Sequence, residues 1–133
     1  MIGFNPSKDS TVGVEVEAQL VDESSGDLVN IAESIVKDYG DEERVKHELY
    51  LSTVELTSSP ALNTNDTYTE LSSIVTKVID LAQKQNAGLI TTGTHPFALY
   101  EDQKITKVEN NIHMTKHKSR QDPLNYGIRI NNR

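Results

Sequence analysis

The 133-residue chain has no cysteine and no tryptophan, and aromatic residues make up only 5% of it. Without cysteine there is no disulfide framework and no thiolate to act as nucleophile or metal ligand. Nowhere do about 18 apolar residues follow one another, so no membrane span is expected. The opening MIGFNPSKDS lacks a basic stretch followed by an apolar one. It therefore does not read as a secretory signal, and the cytoplasm is the expected location. Missing too are a P-loop, a GxGxxG after a strand, a GxSxG and a CxxC, so nucleophilic catalysis through Ser or Cys has no support and no catalytic residue is assigned.

Positive charge is scarce and unevenly placed. Lys and Arg number 13 against 20 Asp and Glu, for a net charge of −7. Residues 1–103 carry 6 basic and 18 acidic side chains, whereas residues 104–133 carry 7 basic and 2 acidic. An acidic body repels phosphates, which disfavours nucleic acid as a partner. The basic tail holds few aromatics and no recognised motif, so it reads as a solvated tail.

What is present suffices for one domain. The length fits a single unit that buries roughly two-thirds of its unfolded surface. Residues 11–21, TVGVEVEAQLV, alternate strictly: Val12, Val14, Val16, Ala18 and Leu20 on one side, polar residues on the other. That is a strand with one buried face, and it sets Glu15 and Glu17 on the other face about 7 Å apart. Residues 22–30 read as a turn and 31–39 as a short helix ended by Gly40. In 45–57, VKHELYLSTVELT, the alternation of Ser52, Val54 and Leu56 with Thr53, Glu55 and Thr57 predicts a second strand. Glu48 lies an odd number of residues before Glu55. In a flat continuous strand the two would face opposite ways, so acting together requires a bend or bulge between them.

Residues 67–87 carry a helical stripe of Tyr68, Leu71, Val75, Val78 and Ala82. Thr67 and Glu70 have capping-box spacing, and Gly88 stands where a C-terminal glycine is favoured. A short buried strand is expected at 89–93, then a loop with Thr94, His95 and Pro96. Beyond Thr106 the pattern fades, apart from a possible strand at 125–131, NYGIRIN.

Paired carboxylates repel unless a cation or proton intervenes, and hard divalent ions take oxygen ligands. For Glu15 and Glu17 alone, a solvent-facing acidic strand is the simpler explanation. Glu48 and Glu55 on a second strand that could be a neighbour turn the balance toward a metal site. His95 could contact a substrate or be a hydrogen-bonded structural residue. His113 and His117 are read as exposed and unliganded.

GVEVEAQLVD (13–22), KHELYLSTVELTS (46–58) and GTHPF (93–97), in that order and at those separations, resemble the carboxylate–amine ligases of glutamate–cysteine ligase family two. The family's first motif usually reads Gly-Val-Glu-Glu-Glu-Phe; here Val16 and Ala18 replace the middle Glu and the Phe. The resemblance covers about residues 10–107, the N-terminal third or so of the family. It implies an α+β fold: an antiparallel sheet with helices packed on one face, as in part of the glutamine-synthetase-like catalytic domain. Residues 1–107 would form this part and 108–133 a divergent basic tail.

The resemblance also implies ATP-dependent amide formation through an acyl phosphate, with Mg²⁺ or Mn²⁺ bridging the phosphates, in glutathione biosynthesis. Glu15, Glu17, Glu48 and Glu55 match metal-holding positions, and His95 a motif residue expected to line the substrate pocket. Further on, a His-Val-His-Val-Gly motif is expected, but YGIRINN has Arg129 where a histidine should stand, and Arg cannot ligate a cation. The chain is thus expected to be a ligase fragment, inactive alone. The alternative is a non-catalytic remnant that binds metal, nucleotide or protein. Open sheet edges would favour a homo-oligomer.

Overall fold

The computed structural model describes residues 8–106. Four strands, β1 (Glu15–Asp22), β2 (Val45–His47), β3 (Thr53–Thr57) and β4 (Ala87–Ile90), form one antiparallel sheet in the order β2-β3-β1-β4. Helices α1 (Ala32–Tyr39) and α2 (Thr64–Gln83) pack on each other and on the sheet. The α+β class and the antiparallel sheet are as expected. His113, His117 and the 125–131 strand lie outside the described residues.

One face of the sheet makes the core. Ala18 and Leu20 of β1, Val45 of β2, Val54 and Leu56 of β3 and Ala87 of β4 are buried together with Ala32, Ile35 and Val36 of α1 and Ile74, Val78 and Ala82 of α2. The strand positions alternate, so both helices cover one side and leave the other open. Each fully buried Leu, Ile or Val contributes about 1.5–3 kcal/mol from water exclusion.

Four local differences from the sequence reading have physical causes. The regular part of β1 starts at Glu15 rather than at residue 11. Val12 still exchanges backbone bonds with Ala61, but the Val14 amide donates to the Ser58 hydroxyl, which interrupts the ladder between them. Helix α2 begins three residues before the expected start because Asn63 is its cap: its Oδ1 accepts from the Asp66 amide and its Nδ2 donates to the Asp66 carboxylate. Thr67 is consequently inside the helix and buried, and Tyr68 turns outward. The chain leaves α2 through Asn86 at φ 55°, and Gly88 lies within β4. An asparagine, which tolerates the left-handed region, does there what the glycine was expected to do.

The fourth difference matters most. The 45–57 segment is not one strand but a hairpin, with Val45 opposite Leu56, Lys46 opposite Glu55 and His47 opposite Val54. Its connection is held from outside: Leu51 donates to the Lys104 carbonyl and Thr106 to the Leu49 carbonyl. Glu70 of α2 fastens the start of this hairpin to the helix layer. Its carboxylate accepts from the Ser59 amide and hydroxyl and lies 3.1 Å from the Arg44 guanidinium.

Candidate functional site

The open face of the sheet carries the polar half of the alternation. Across β1 and β3, Glu15 stands opposite Thr57, Glu17 opposite Glu55 and Gln19 opposite Thr53. On the far side of β3, Lys46 stands opposite Glu55. One row across three strands therefore reads Lys46–Glu55–Glu17. Opposed residues in antiparallel strands lie about 4.5–5.5 Å apart at Cα, and like charges so placed are destabilising.

Glu48 comes near this row because the chain reverses. It follows β2 directly, and its Oε2 accepts from the Leu49 amide at 2.9 Å. Burial pushes its carboxyl above the usual range, against the lowering effect of the Leu49 amide, and the negative charges of Glu17 and Glu55 push the same way. Glu55 shifts the other way: the bond from Lys46 holds its carboxyl low, with the Thr57 hydroxyl adding to the effect. Of the two, Glu48 is the one that keeps a proton longer. The bend required to bring Glu48 and Glu55 together is thus present as a full hairpin.

Lys46 is the residue the sequence reading missed. Its Nζ lies 2.8 Å from Glu55 Oε1, 3.1 Å from Thr57 Oγ1 and 4.0 Å from Glu15 Oε1. Its bond to Glu55 raises its own pKa. A hairpin reading of residues 45–57 would have paired Lys46 with Glu55 across the strands and exposed the contact.

A donor set of four carboxylates suits a hard divalent cation, which prefers oxygen ligands and counter-charge. Two of the four, Glu55 and Glu15, face the Lys46 ammonium instead. Among the described residues, no three His, Cys, Asp or Glu side chains are placed so that they could hold one metal ion.

His95 is found elsewhere. The residue is only 6% exposed. Nδ1 accepts from the Ala98 amide at 3.0 Å, so the ring proton sits on Nε2 and is donated to the Gly26 carbonyl at 2.9 Å. Gly26, at φ 75°, belongs to the turn that follows β1, at the opposite end of that strand from Glu15. The turn itself is built by Asp22, whose carboxylate accepts from the Ser24 hydroxyl and from the amides of Ser24 and Ser25. His95 thus ties the 93–98 loop to this turn. The residues after it, Phe97 to Leu99, form one wall of an open depression of about 330 Å³ whose other walls include Leu28, Asn30 and Ser52.

The crowding of Glu48 makes a pH prediction. Its folded pKa lies above the unfolded value, so the folded chain binds more protons and stability falls as pH rises through that window. Glu48→Gln should therefore stabilise the chain at neutral pH by on the order of 1 kcal/mol or less, as expected for relief of a partly exposed charge. The gain should vanish in acid, where the wild-type carboxyl is neutral as well. Denaturant melts at pH 4 and pH 7.5 would check this; a variant less stable at pH 7.5 would contradict it.

Comparison with known proteins agrees with the resemblance. The profile of glutamate-cysteine ligase family 2 matches residues 11–126. A protein of Mycolicibacterium vanbaalenii provisionally named glutamate–cysteine ligase 2-1 is 37% identical over 105 residues, covering 79% of this chain and 28% of that protein. A protein of Leifsonia xyli provisionally named glutamate–cysteine ligase 2 is 34% identical over 111 residues, covering 80% of this chain and 29% of that protein. One from Frankia alni, provisionally named glutamate–cysteine ligase 2-1, is 35% identical over 111 residues, covering 79% and 29%. The chain spans somewhat more than a quarter of the length of these curated relatives.

Proposed function

The chain belongs to glutamate-cysteine ligase family 2, and from that membership we propose that it carries the metal-binding face of an ATP-dependent carboxylate–amine ligase. In such a reaction ATP transfers its γ-phosphoryl group to a carboxylate, and an amine displaces phosphate from the acyl phosphate to give an amide. The relatives' names supply the substrates of the proposal, glutamate as carboxylate and cysteine as amine, which places it in glutathione biosynthesis and in the cytoplasm. No helix among the described residues is long and apolar enough to cross a membrane.

The observation that carries the reading is the opposition of Glu17 and Glu55 on neighbouring strands, with Glu48 crowded against both. With Glu15 on the same face, these residues would hold Mg²⁺ or Mn²⁺. An ion held there would supply positive charge to offset that of a transferring phosphoryl group. His95 takes the role of a support for the substrate side: it pins the loop whose Phe97 and Leu99 wall the depression beside the sheet. Clamping ATP and excluding water need groups on more than one side of the nucleotide. The acidic face would supply groups on one side of the nucleotide only, so turnover by these 133 residues alone is not expected.

Calorimetric titration with Mg²⁺ or Mn²⁺, with and without a non-hydrolysable ATP analogue, tests the reading. Binding of the ion that strengthens with the nucleotide analogue is the expected outcome. Absence of binding under both conditions would sink it.

Self-association is a further part of the proposal. Leu62, Phe97, Leu99 and Ile105 are large apolar side chains left exposed, and burying them against a second copy would remove that surface from water. Light scattering should give a mass above that of one chain; a monomer at all concentrations would argue against it.

A further inference from the structure

We propose that the depression between residues 27–30, Ser52 and residues 97–103 is a binding site for a small primary amine with an apolar stem, held as its ammonium ion. The inference needs neither a metal nor a nucleotide, so it goes beyond the ligase reading and does not rest on it.

The backbone sets the walls. Leu20, near the end of β1, donates to the Ser52 carbonyl and accepts from the Val29 amide, and the Asp22 amide donates to the Asp27 carbonyl. Two of the three walls thus hang on one strand. The third is held at both ends. His95 ties its start to Gly26, and just past its end the Leu51 amide donates to the Lys104 carbonyl. A depression of about 330 Å³ with walls fixed in this way is largely preformed, so a ligand has little to order on entering.

The lining sorts by chemistry. Leu28, Phe97 and Leu99 are apolar, and Phe97 and Leu99 are 59% and 57% exposed. An apolar stem would cover that surface. The charged members are Asp27 and Asp102, and no Lys, Arg or His lines the depression. The ion pairs among the described residues join Arg44 or Lys46 to Glu15, Glu55 and Glu70 and involve neither aspartate. Two carboxylates without a cation repel an anionic ligand and attract an ammonium.

Ser52 adds an independent observation. It is completely buried, and its Oγ has no hydrogen-bond partner among the described residues. An orphaned hydroxyl carries a cost that alanine at the same place would not. Ser52 lines the depression, and rotation about one side-chain bond presents its oxygen to a donor there. A primary ammonium has three N–H donors and no acceptor. The two aspartates and the Ser52 oxygen are acceptors for them. An anion would meet like charge here, and a wholly apolar ligand would leave the serine unpaired.

The test is an amide NMR titration of the full chain with phenethylamine, with phenylethanol and phenylpropionate as neutral and anionic counterparts of similar shape. The amine should shift the amides of Leu28, Ser52 and Phe97 saturably. The alcohol should bind about tenfold more weakly, the order expected for a partly solvated charge pair, and the acid more weakly still. Asp27→Asn/Asp102→Asn removes both charges at exposed positions, away from the core, and should bring the amine down to the affinity of the alcohol. Ser52→Ala should weaken the amine several-fold while amides elsewhere keep their positions. Phe97 and Leu99 also belong to the surface offered for self-association, so light scattering on the same samples follows the mass. Absence of saturable shifts, equal binding of amine and alcohol, or undiminished amine affinity in either variant would overturn the site. Shifts that follow the mass and not the charge of the ligand would overturn it too. The metal titration tests the ligase reading separately, so the two can fail independently.

Discussion

Replacing Glu17 and Glu55 together by glutamine should lower affinity for Mg²⁺ or Mn²⁺ by at least about a hundredfold, since changes even in the groups that merely support metal ligands cost 10–100-fold. Glutamine keeps the shape and one carbonyl oxygen but loses the charge that a hard cation requires. The pair sits at directly opposed positions of β1 and β3, and no other row across these strands sets two acids face to face. Glu15→Gln alone should do less, because that side chain is 65% exposed and stands opposite Thr57, with no acidic partner across the strands.

Stability of the double variant should change little. Removing the Glu17–Glu55 repulsion is favourable, losing the Lys46–Glu55 ion pair is unfavourable, and both are small at a partly exposed site. Lost binding with an unchanged melt would therefore report ligands and not unfolding. Calorimetry supplies the affinity and circular dichroism the melt. An unchanged affinity in a folded double variant would remove these glutamates from the metal site.

The acidic face was legible in the sequence because period two is unforgiving. Ala18 and Leu20 must be buried, so Glu15 and Glu17 must lie opposite them; the same holds for Glu55 between Val54 and Leu56. Register was not legible. Nothing in the alternation of 11–21 says that Glu17, and not Glu15, faces Glu55.

The hairpin inside 45–57 was hidden for a different reason. Its connection carries no glycine or proline to mark a reversal, and the chain turns there because residues 104–106 pair with residues 49–51 from outside. A long-range partner of that kind leaves no local signal, and with the turn unseen, the contact of Lys46 with Glu55 was unseen too. The helix cap failed more simply. Thr67 and Glu70 have the right spacing, but Asn63 offers a better cap one turn earlier, and Glu70 is engaged by Ser59 and Arg44.

Leu56→Ala should cost about 2–5 kcal/mol, the usual range for emptying a fully buried leucine. Leu56 is completely buried in β3, which lies between β2 and β1 in the sheet, and is flanked by Val16 on β1 and Val45 on β2. For a domain of this size that is a large fraction of the whole, and the melting temperature should fall by roughly 10–25 °C. Tyr68→Ala, at an exposed position outside the proposed self-association surface, should stay within about 0.5 kcal/mol of wild type. Thermal and urea melts followed by circular dichroism distinguish the two; equal effects would mean that the sheet does not pack its helix side as described. Position 56 matters to the site because its chain neighbours, Glu55 and Thr57, point to the opposite face. A cavity under Leu56 lets β3 sag and moves the one carboxylate that Lys46, Glu17 and Glu48 all depend on. The acidic face is a cost in repulsion, tolerated because the other side of the same strands is buried against both helices. Weakening the packed side should therefore loosen metal binding before the chain unfolds, and Mn²⁺ affinity of Leu56→Ala measured well below its melting temperature should already be reduced.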